Sequence, residues 1–166
     1  MASSKLKVLK DSIEINAAPE KIWEFFVNLE QNYRIWHPGD HILFKWTKGR
    51  PWEKGSSFYA EQYVMGRKKK YRGTCTEIVP NRKIVFEFSF PVSLISPKIE
   101  WQIEPKGPNS VFTAITYMRL GKLFRKLFEK QVEKLLKAHD EHVRTEAENL
   151  KKILENKTTD SDTSFT

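Results

Sequence analysis

Residues 82–90, RKIVFEFSF, and residues 98–105, KIEWQIEP, alternate between apolar and polar side chains. The apolar members are Ile84, Phe86, Phe88 and Phe90 in the first stretch and Ile99, Trp101 and Ile103 in the second. A period of two residues is that of a β-strand. One apolar face beside one polar face is typical of an antiparallel sheet with a single solvated side. The two stretches therefore predict that the fold is built on such a sheet.

Five further segments contain the β-branched and aromatic residues that are typical of strands, and turn residues separate them. They are residues 7–16, 41–48, 56–66, 69–79 and 110–119. Two short helices are predicted between the first two strands, the first beginning at Pro19 and the second covering about 30–35. A long helix is predicted over about 121–155. Its apolar stripe is Phe124, Phe128, Val132, Leu135, Leu150 and Ile153.

This order of elements predicts an α+β fold, in which a curved, seven-stranded antiparallel sheet wraps around the long C-terminal helix and leaves an internal pocket. A chain of 166 residues suffices for one such domain. We expect the domain to cover residues 6–155. We expect the small, polar segments 1–5 and 156–166 to be disordered.

Composition limits the class of protein. The only cysteine, Cys75, cannot form an internal disulfide, and we find neither a secretion signal nor an apolar run long enough to span a membrane, so we expect a cytoplasmic location. The formal charge is +8, and part of the excess lies in residues 67–70, RKKK, with Arg72. We interpret this run as a solvated hairpin tip. The less favoured alternative is a nucleic-acid-binding module centred on residues 67–72.

The long helix carries polar residues within its apolar stripe. His139, His142 and Glu146 are spaced by three and four residues, so they are adjacent on one side of the helix. Such groups are costly to bury unless they are paired, bound to a metal or facing water in a pocket. The other two histidines of the chain, His37 and His41, lie in residues 36–41, WHPGDH. Imidazole and carboxylate groups are ligands suited to zinc or ferrous iron.

Three segments carry a resemblance to a known superfamily. Residues 13–23 (IEINAAPEKIW), 36–38 (WHP) and 77–82 (EIVPNR) resemble, in their order and spacing, the START-like or SRPBCC superfamily with its helix-grip fold. The resemblance covers about residues 6–155. It implies a cavity between sheet and helix that holds lipids, polyketides or other hydrophobic molecules. We expect the cavity wall to include Trp36, Tyr63, Phe88, Trp101 and Tyr117.

A narrower resemblance concerns the histidine segments. Residues 36–41 and 142–150 (HVRTEAENL) are similar to the 2,4-diacetylphloroglucinol hydrolase branch, whose members use zinc to cleave a carbon–carbon bond next to a ketone. This implies zinc ligands at His41 and Glu146, with Glu61 as a further carboxylate. Because no histidine lies between residues 41 and 139, His139 or His142 replaces the mid-sheet ligand of that branch. We assign His142 to the metal site and His37 and His139 to proton transfer.

Two functions remain open. One is a metal-dependent hydrolase acting on a small aromatic or polyketide-like ketone, and the other is a non-catalytic carrier or sensor in which the His/Glu group anchors the polar end of a hydrophobic ligand. The roles of two segments also stay open. Residues 36–38 fit a packed turn as well as a site, and Glu61 fits either face of its strand. We favour a ligand-binding pocket with a candidate metal site. The oligomeric state is not determined by the sequence.

Overall fold

Seven antiparallel strands form a single sheet in the computed structural model, which describes residues 6–162 apart from the side chains of Phe124 and of residues 157–162. The strands are β1 (Lys7–Ile15), β2 (His41–Lys48), β3 (Ser57–Val64), β4 (Arg67–Val79), β5 (Lys83–Phe88), β6 (Lys98–Lys106) and β7 (Asn109–Met118). Their spatial order is β1-β7-β6-β5-β4-β3-β2. The predicted seven-stranded α+β fold is confirmed, with the strand bounds shifted by at most a few residues.

The helices differ from the prediction at the C-terminal end. α1 (Pro19–Val27) and α2 (Leu29–Trp36) follow β1, and a short 3-10 turn (Val92–Leu94) follows β5. The predicted helix over 121–155 is instead two helices, α3 (Lys122–Leu127) and α4 (Glu129–Asp162). α4 therefore continues into the segment 156–166 that we expected to be disordered, while residues 1–5 and 163–166 lie outside the described part. None of the helices between residues 6 and 162 is long and apolar enough to cross a bilayer.

The concave side of the sheet is filled by aromatic rings where α1 and α2 cover it. The Phe26 ring stacks on Trp101 with centroids 4.7 Å apart, and Trp36 meets both rings edge-on. The fully or nearly fully buried residues of this core include Ile15, Phe44, Phe58, Phe86, Ile103 and Phe112. Such close aromatic packing excludes water from this half of the concave side.

α4 packs on the concave side, as predicted, along most of its length. Leu150 and Val143 join the main core, and Val132 packs against Met118 beside β1. The start of the predicted stripe is not core, because Phe128 is 43 % exposed and Leu135 is only half-buried. Phe128 lies at the break between α3 and α4, so the long helix does not continue through the start of the stripe. The Phe124 side chain lies outside the described part of the chain.

A two-residue turn places the basic run at the tip of the β3–β4 hairpin. Met65 and Gly66 both have positive φ (52° and 72°), the backbone of a tight hairpin turn. The residues that follow, Arg67 to Lys70, are exposed. The run is therefore solvated surface at one end of the sheet, as predicted.

We expect Leu150→Ala to lower the free energy of unfolding by about 2–5 kcal/mol, because the side chain is fully buried in the main core. Urea unfolding would measure the change. The control is Leu127→Ala on α3, where the side chain is 66 % exposed and the expected change is within about 0.5 kcal/mol. Equal costs for the two variants would contradict the described packing of α4.

Candidate functional site

The turn between α2 and β2 lies directly against α4. The amide N–H of His41 donates to the carbonyl of His37 (2.8 Å), which folds residues 37–41 into a compact turn. The indole Nε1–H of Trp36 donates to the backbone carbonyl of Glu146 (2.9 Å). The side-chain amide of Asn149 donates to the carbonyl of Trp36 (3.0 Å). These bonds hold the turn beside the middle of α4.

Three predicted site residues meet at this contact. Oε1 of Glu146 lies 2.8 Å from Nε2 of His41 and 3.2 Å from Nε2 of His142. The convergence that the sequence predicted for His41, His142 and Glu146 is thus present in the structure. Asp40 and His37 border the same point, because Nδ1–H of His142 donates to Oδ2 of Asp40 (2.9 Å) and Nε2 of His37 lies 3.5 Å from that oxygen. We call these five residues the histidine cluster.

The hydrogen bonds of the cluster determine which atom of His41 faces Glu146. Nδ1 of His41 lies 2.8 Å from the backbone carbonyl of Tyr33. A carbonyl only accepts, so Nδ1 carries the hydrogen, and a neutral His41 presents the lone pair of Nε2 to the carboxylate of Glu146. Two acceptors at 2.8 Å repel one another unless a proton or a metal cation lies between them.

Two buried nitrogens of the cluster make no well-formed hydrogen bond to any described residue. They are Nε2 of His41 and Nδ1 of His37. The short contact from His41 to Glu146 has an ion-pair distance, but it lacks the alignment of a hydrogen bond. Because His41 is 3 % exposed, this nitrogen is a buried ligand atom aimed at the point where His142 and Glu146 meet.

Ring stacking holds the three imidazoles of the histidine cluster in place. Tyr33 stacks on His41 with centroids 3.8 Å apart and planes 3° from parallel. His37 stacks on His142 at 4.6 Å and 16°. The Tyr33 hydroxyl in turn donates to Oε1 of Gln62 on β3 (2.8 Å). The orientation of the rings is therefore determined by packing as well as by hydrogen bonds.

Burial and charge act against each other on the pKa values of the cluster. Burial disfavours the charged form of His142, but hydrogen bonds and charge from Glu146 and Asp40 raise its pKa to about 9. Burial would raise the pKa of Glu146, but His142 and His41 hold it well below the usual range of a carboxyl group. Burial, together with the charge of His142, lowers the pKa of His37. The cluster without a metal therefore contains an ion pair beside a neutral imidazole at neutral pH.

Donor atoms of His41, His142 and Glu146 all lie within 4.8 Å of one another, as do those of His37, Asp40 and His142. Two imidazole nitrogens and one carboxylate form a common donor set for zinc. The buried Nε2 of His41, 2.8 Å from Oε1 of Glu146 without a well-formed hydrogen bond, makes the first group the candidate cation site. His139 lies one helical turn before His142, half-buried, and burial lowers its pKa.

Glu61 does not reach the cluster, which corrects its assignment as a metal ligand. In the β2–β3 ladder His41 lies opposite Gln62, and successive residues of a strand point to opposite faces. Gln62 shares the concave side with Ala60, so Glu61 faces outward and pairs there with Lys68. The sequence alone did not show which of the two alternating faces of β3 is inside.

Four of the five expected wall residues are also placed elsewhere. Trp36 and Trp101 are 1 % and 8 % exposed and belong to the aromatic core rather than to an open wall. Tyr63 and Tyr117 point to the outer face of the sheet, where the Tyr117 hydroxyl donates to Oε2 of Glu100 (3.3 Å). Trp101 and Phe88 both face the concave side, but of the five only Phe88 does so while remaining half-buried.

Phe88 belongs to a part of the concave side that is incompletely covered. Tyr71 and Ile99 lie there too, facing inward because they pair with the buried Ala60 and Phe86 in their ladders. All three side chains are only half-buried, and the rings of Tyr71 and Phe88 are 5.7 Å apart. Burial still raises the pKa of the Tyr71 phenol to about 12. We call Tyr71, Phe88 and Ile99 the trough.

Sequence reasoning missed one member of the histidine cluster, Asp40, and two residues that support it, Tyr33 and Gln62. Asp40 was open to detection, because it is a carboxylate between His37 and His41 in a six-residue segment. Tyr33 acts mainly through its backbone carbonyl and its ring, and Gln62 through the inward face of β3. No sequence signal distinguished these two residues from ordinary core and surface positions.

We expect the contribution of His142 to stability to fall at alkaline pH. Its folded pKa of about 9 lies above the ordinary value of 6.5, so the stabilisation is complete below 6.5 and is lost as the pH rises through about 9. In the presence of a chelator, the difference in unfolding free energy between wild type and His142→Asn should shrink by about 1–3 kcal/mol over this interval. Urea unfolding at several pH values measures this difference.

His139→Asn is the control. Burial lowers the pKa of His139, so the contribution of His139 to stability is lost toward acid pH instead. A difference for His142→Asn that grows with pH would contradict the described ion pair.

Comparison with known proteins agrees with this architecture. The family model for polyketide cyclase/dehydrase and lipid transport proteins matches residues 8–155. Norcoclaurine synthase from Thalictrum flavum is similar in structure, as a point mutant with a transition-state analogue (TM-score 0.72, 13 % identity, 95 % of this chain and 99 % of that one). The structure of the same enzyme in complex with dopamine and hydroxybenzaldehyde is also similar (TM-score 0.68, 13 % identity, covering 92 % of this chain and 88 % of that one). The Zhui aromatase/cyclase from Streptomyces sp. R1128 matches with a TM-score of 0.72 and 11 % identity over 93 % and 96 % of the two chains.

A comparison with curated protein sequences found no match. The structural neighbours are too distant in sequence to show more than the shared fold. The family model, by contrast, spans most of the chain. The chain therefore belongs to the polyketide cyclase/dehydrase and lipid transport family, within the START-like (SRPBCC) superfamily.

Proposed function

We propose that this protein binds a small hydrophobic or aromatic molecule in the trough, with the polar end of the molecule directed toward the histidine cluster. The observation that carries this is the incomplete burial of Tyr71, Phe88 and Ile99, which face the interior of the sheet. Binding sites for small molecules are mostly apolar and have a few polar groups that orient the ligand. The trough supplies the apolar surface, and the cluster supplies the polar groups.

The comparisons support an aromatic or lipid-like ligand. The family description names polyketide cyclases, dehydrases and lipid transport. One structural neighbour is an aromatase/cyclase, and another is a complex with dopamine and hydroxybenzaldehyde. We further propose a cytoplasmic location, because the free Cys75 thiol is buried and a reducing compartment preserves it.

We expect the trough to bind naphthol, a neutral aromatic probe whose fluorescence reports a change of environment. Phe88→Ala should weaken binding by about tenfold, because it removes one aromatic contact worth roughly 1.4 kcal/mol. Tyr63→Ala is the matched control, since Tyr63 is an aromatic residue on the outer face of the sheet and is 43 % exposed. Equal losses in the two variants, or no loss in Phe88→Ala, would contradict the proposed position of the ligand.

A second candidate function, metal-dependent hydrolysis of a ketone ligand, is favoured by the hydrogen bonds of the cluster. Each Nδ1 of His41 and His142 donates to an oxygen, so that each Nε2 faces Glu146. These three residues would hold zinc, which when bound polarises a carbonyl group or activates a water molecule. Without a metal, the same groups would serve the carrier function by binding the polar end of the ligand.

The surrounding residues would orient the ligands and move protons. Asp40 fixes the ring of His142 through Nδ1, and the carbonyl of Tyr33 does the same for His41, which is how residues around metal ligands commonly act. Nδ1 of His37 is buried and has no hydrogen bond within the described chain, and the low pKa of this imidazole keeps it neutral. We propose that His37 accepts or delivers a proton at this atom, with His139 as a second candidate one helical turn from His142.

We expect the protein, purified without an affinity tag, to bind one zinc ion per chain. Glu146→Gln should abolish tight binding because it removes a ligand. Asp40→Asn should weaken binding by about 10–100-fold because it removes only the partner of His142. Competition with a chromophoric chelator measures these affinities.

Glu61→Gln is the matched control for Glu146→Gln, because Glu61 faces away from the cluster. A loss of zinc affinity in Glu61→Gln would contradict this geometry. Failure of the wild type to bind zinc would remove the hydrolase candidate and leave the carrier function. Loss of naphthol binding in Phe88→Ala tests that function independently of the metal.

A further inference from the structure

Exposed apolar residues lie on α3 and in the loop between β5 and β6. Leu123 and Leu127 on α3 are 71 % and 66 % exposed, and Phe90 and Leu94 in the loop are 76 % and 58 % exposed. The loop is joined to the chain just before α3, because the amide N–H of Arg119 donates to the carbonyl of Ile95 (2.7 Å). We call Phe90, Leu94, Leu123 and Leu127 the α3 patch. Apolar residues grouped in this way on a surface mark interaction sites.

Basic residues surround the α3 patch. Leu123 and Leu127 are four residues apart and share one side of α3. Lys122, Arg125 and Lys126 are exposed on the same helix, and Lys130 is exposed at the start of α4. Two carboxylates, Glu129 and Glu133, line a groove of about 370 Å³ together with the basic residues of α3. Residues 119–133 hold five basic residues against these two acidic ones, so the surface is net positive.

We propose that the α3 patch docks the protein on the surface of an anionic lipid bilayer. Leucine and phenylalanine side chains enter the boundary between headgroups and acyl chains, while lysine and arginine side chains contact anionic headgroups. A second copy of the chain is the less suitable occupant, because a symmetric contact would bring the same basic residues of a chain with a net charge of +8 against each other. A neutral apolar partner would leave the basic residues without a role.

Docking at this patch would bring the trough close to the bilayer. Phe88 is a trough residue, and Phe90 of the patch follows it by two residues. A hydrophobic molecule would then move between acyl chains and trough without crossing bulk water. This consequence rests on the proposed ligand site, whereas the docking itself depends only on the patch.

Sedimentation with vesicles tests the proposal on the full chain. We expect the protein to bind vesicles of phosphatidylcholine with about one-third phosphatidylglycerol, and to bind pure phosphatidylcholine at least about tenfold more weakly. Binding should weaken as salt rises, because screening reduces the attraction between headgroups and basic residues. The variants Leu123→Gln/Leu127→Gln and Arg125→Glu/Lys126→Glu should each lose about tenfold or more in partition coefficient.

Matched controls change the same chemistry elsewhere. Val27→Gln/Val79→Gln alters two exposed apolar residues, on α1 and at the end of β4 opposite the patch, and Lys48→Glu/Lys54→Glu reverses two exposed charges at that same opposite end of the sheet. Both controls should stay within about threefold of wild type. The proposal is wrong if the α3 variants bind as wild type does, or if Lys48→Glu/Lys54→Glu loses as much as they do. Self-association lost in Leu123→Gln/Leu127→Gln, without vesicle binding by the wild type, would overturn it in favour of a second copy.

Discussion

The contacts of Trp36 connect α1, the sheet and α4. Its ring packs between Phe26 of α1 and Trp101 of β6 and so joins the helices to the sheet. Its indole N–H and its backbone carbonyl each make a hydrogen bond with α4, to Glu146 and Asn149. Because Trp36 ends α2 and His37 follows it, these bonds also set the position of the turn that carries His37, Asp40 and His41. The packing of one indole ring therefore determines where the candidate site forms.

The position of the turn beside α4 also explains why the carboxylate of Glu146 can be buried. Glu146 would be costly in the aromatic interior without partners, and two imidazoles converge on one of its oxygens. The partners are in turn oriented by Asp40 and by the carbonyl of Tyr33. Because His41 and His142 are each oriented by a second group, their rings have little freedom to rearrange. This ordering supports the proposed binding of a cation or of the polar end of a ligand.

The two ends of the concave side have different roles. Near α1 the rings of Phe26, Trp36 and Trp101 fill the space and stabilise the fold. Toward the β3–β4 hairpin, Tyr71, Phe88 and Ile99 face the interior but stay half-buried. The difference follows from the helices, since α1 and α2 cover only the first region. The packed core and the proposed ligand site are thus separated along the same strands.

The sequence by itself determined the strands, their number and the helix-grip architecture, because alternation and turn chemistry are local properties of the chain. It also identified His41, His142 and Glu146, because four histidines in two short segments and a polar interruption of an apolar stripe are visible without a structure. Only the tertiary structure decided which face of β3 is inside. Gln62 faces the concave side there, and Glu61, the predicted ligand, faces outward. The tertiary structure alone showed that Trp36 and Trp101 are core, and that the last helix breaks between α3 and α4. The physical reason is that periodicity defines two faces of an element, whereas only packing against other elements decides which face is buried.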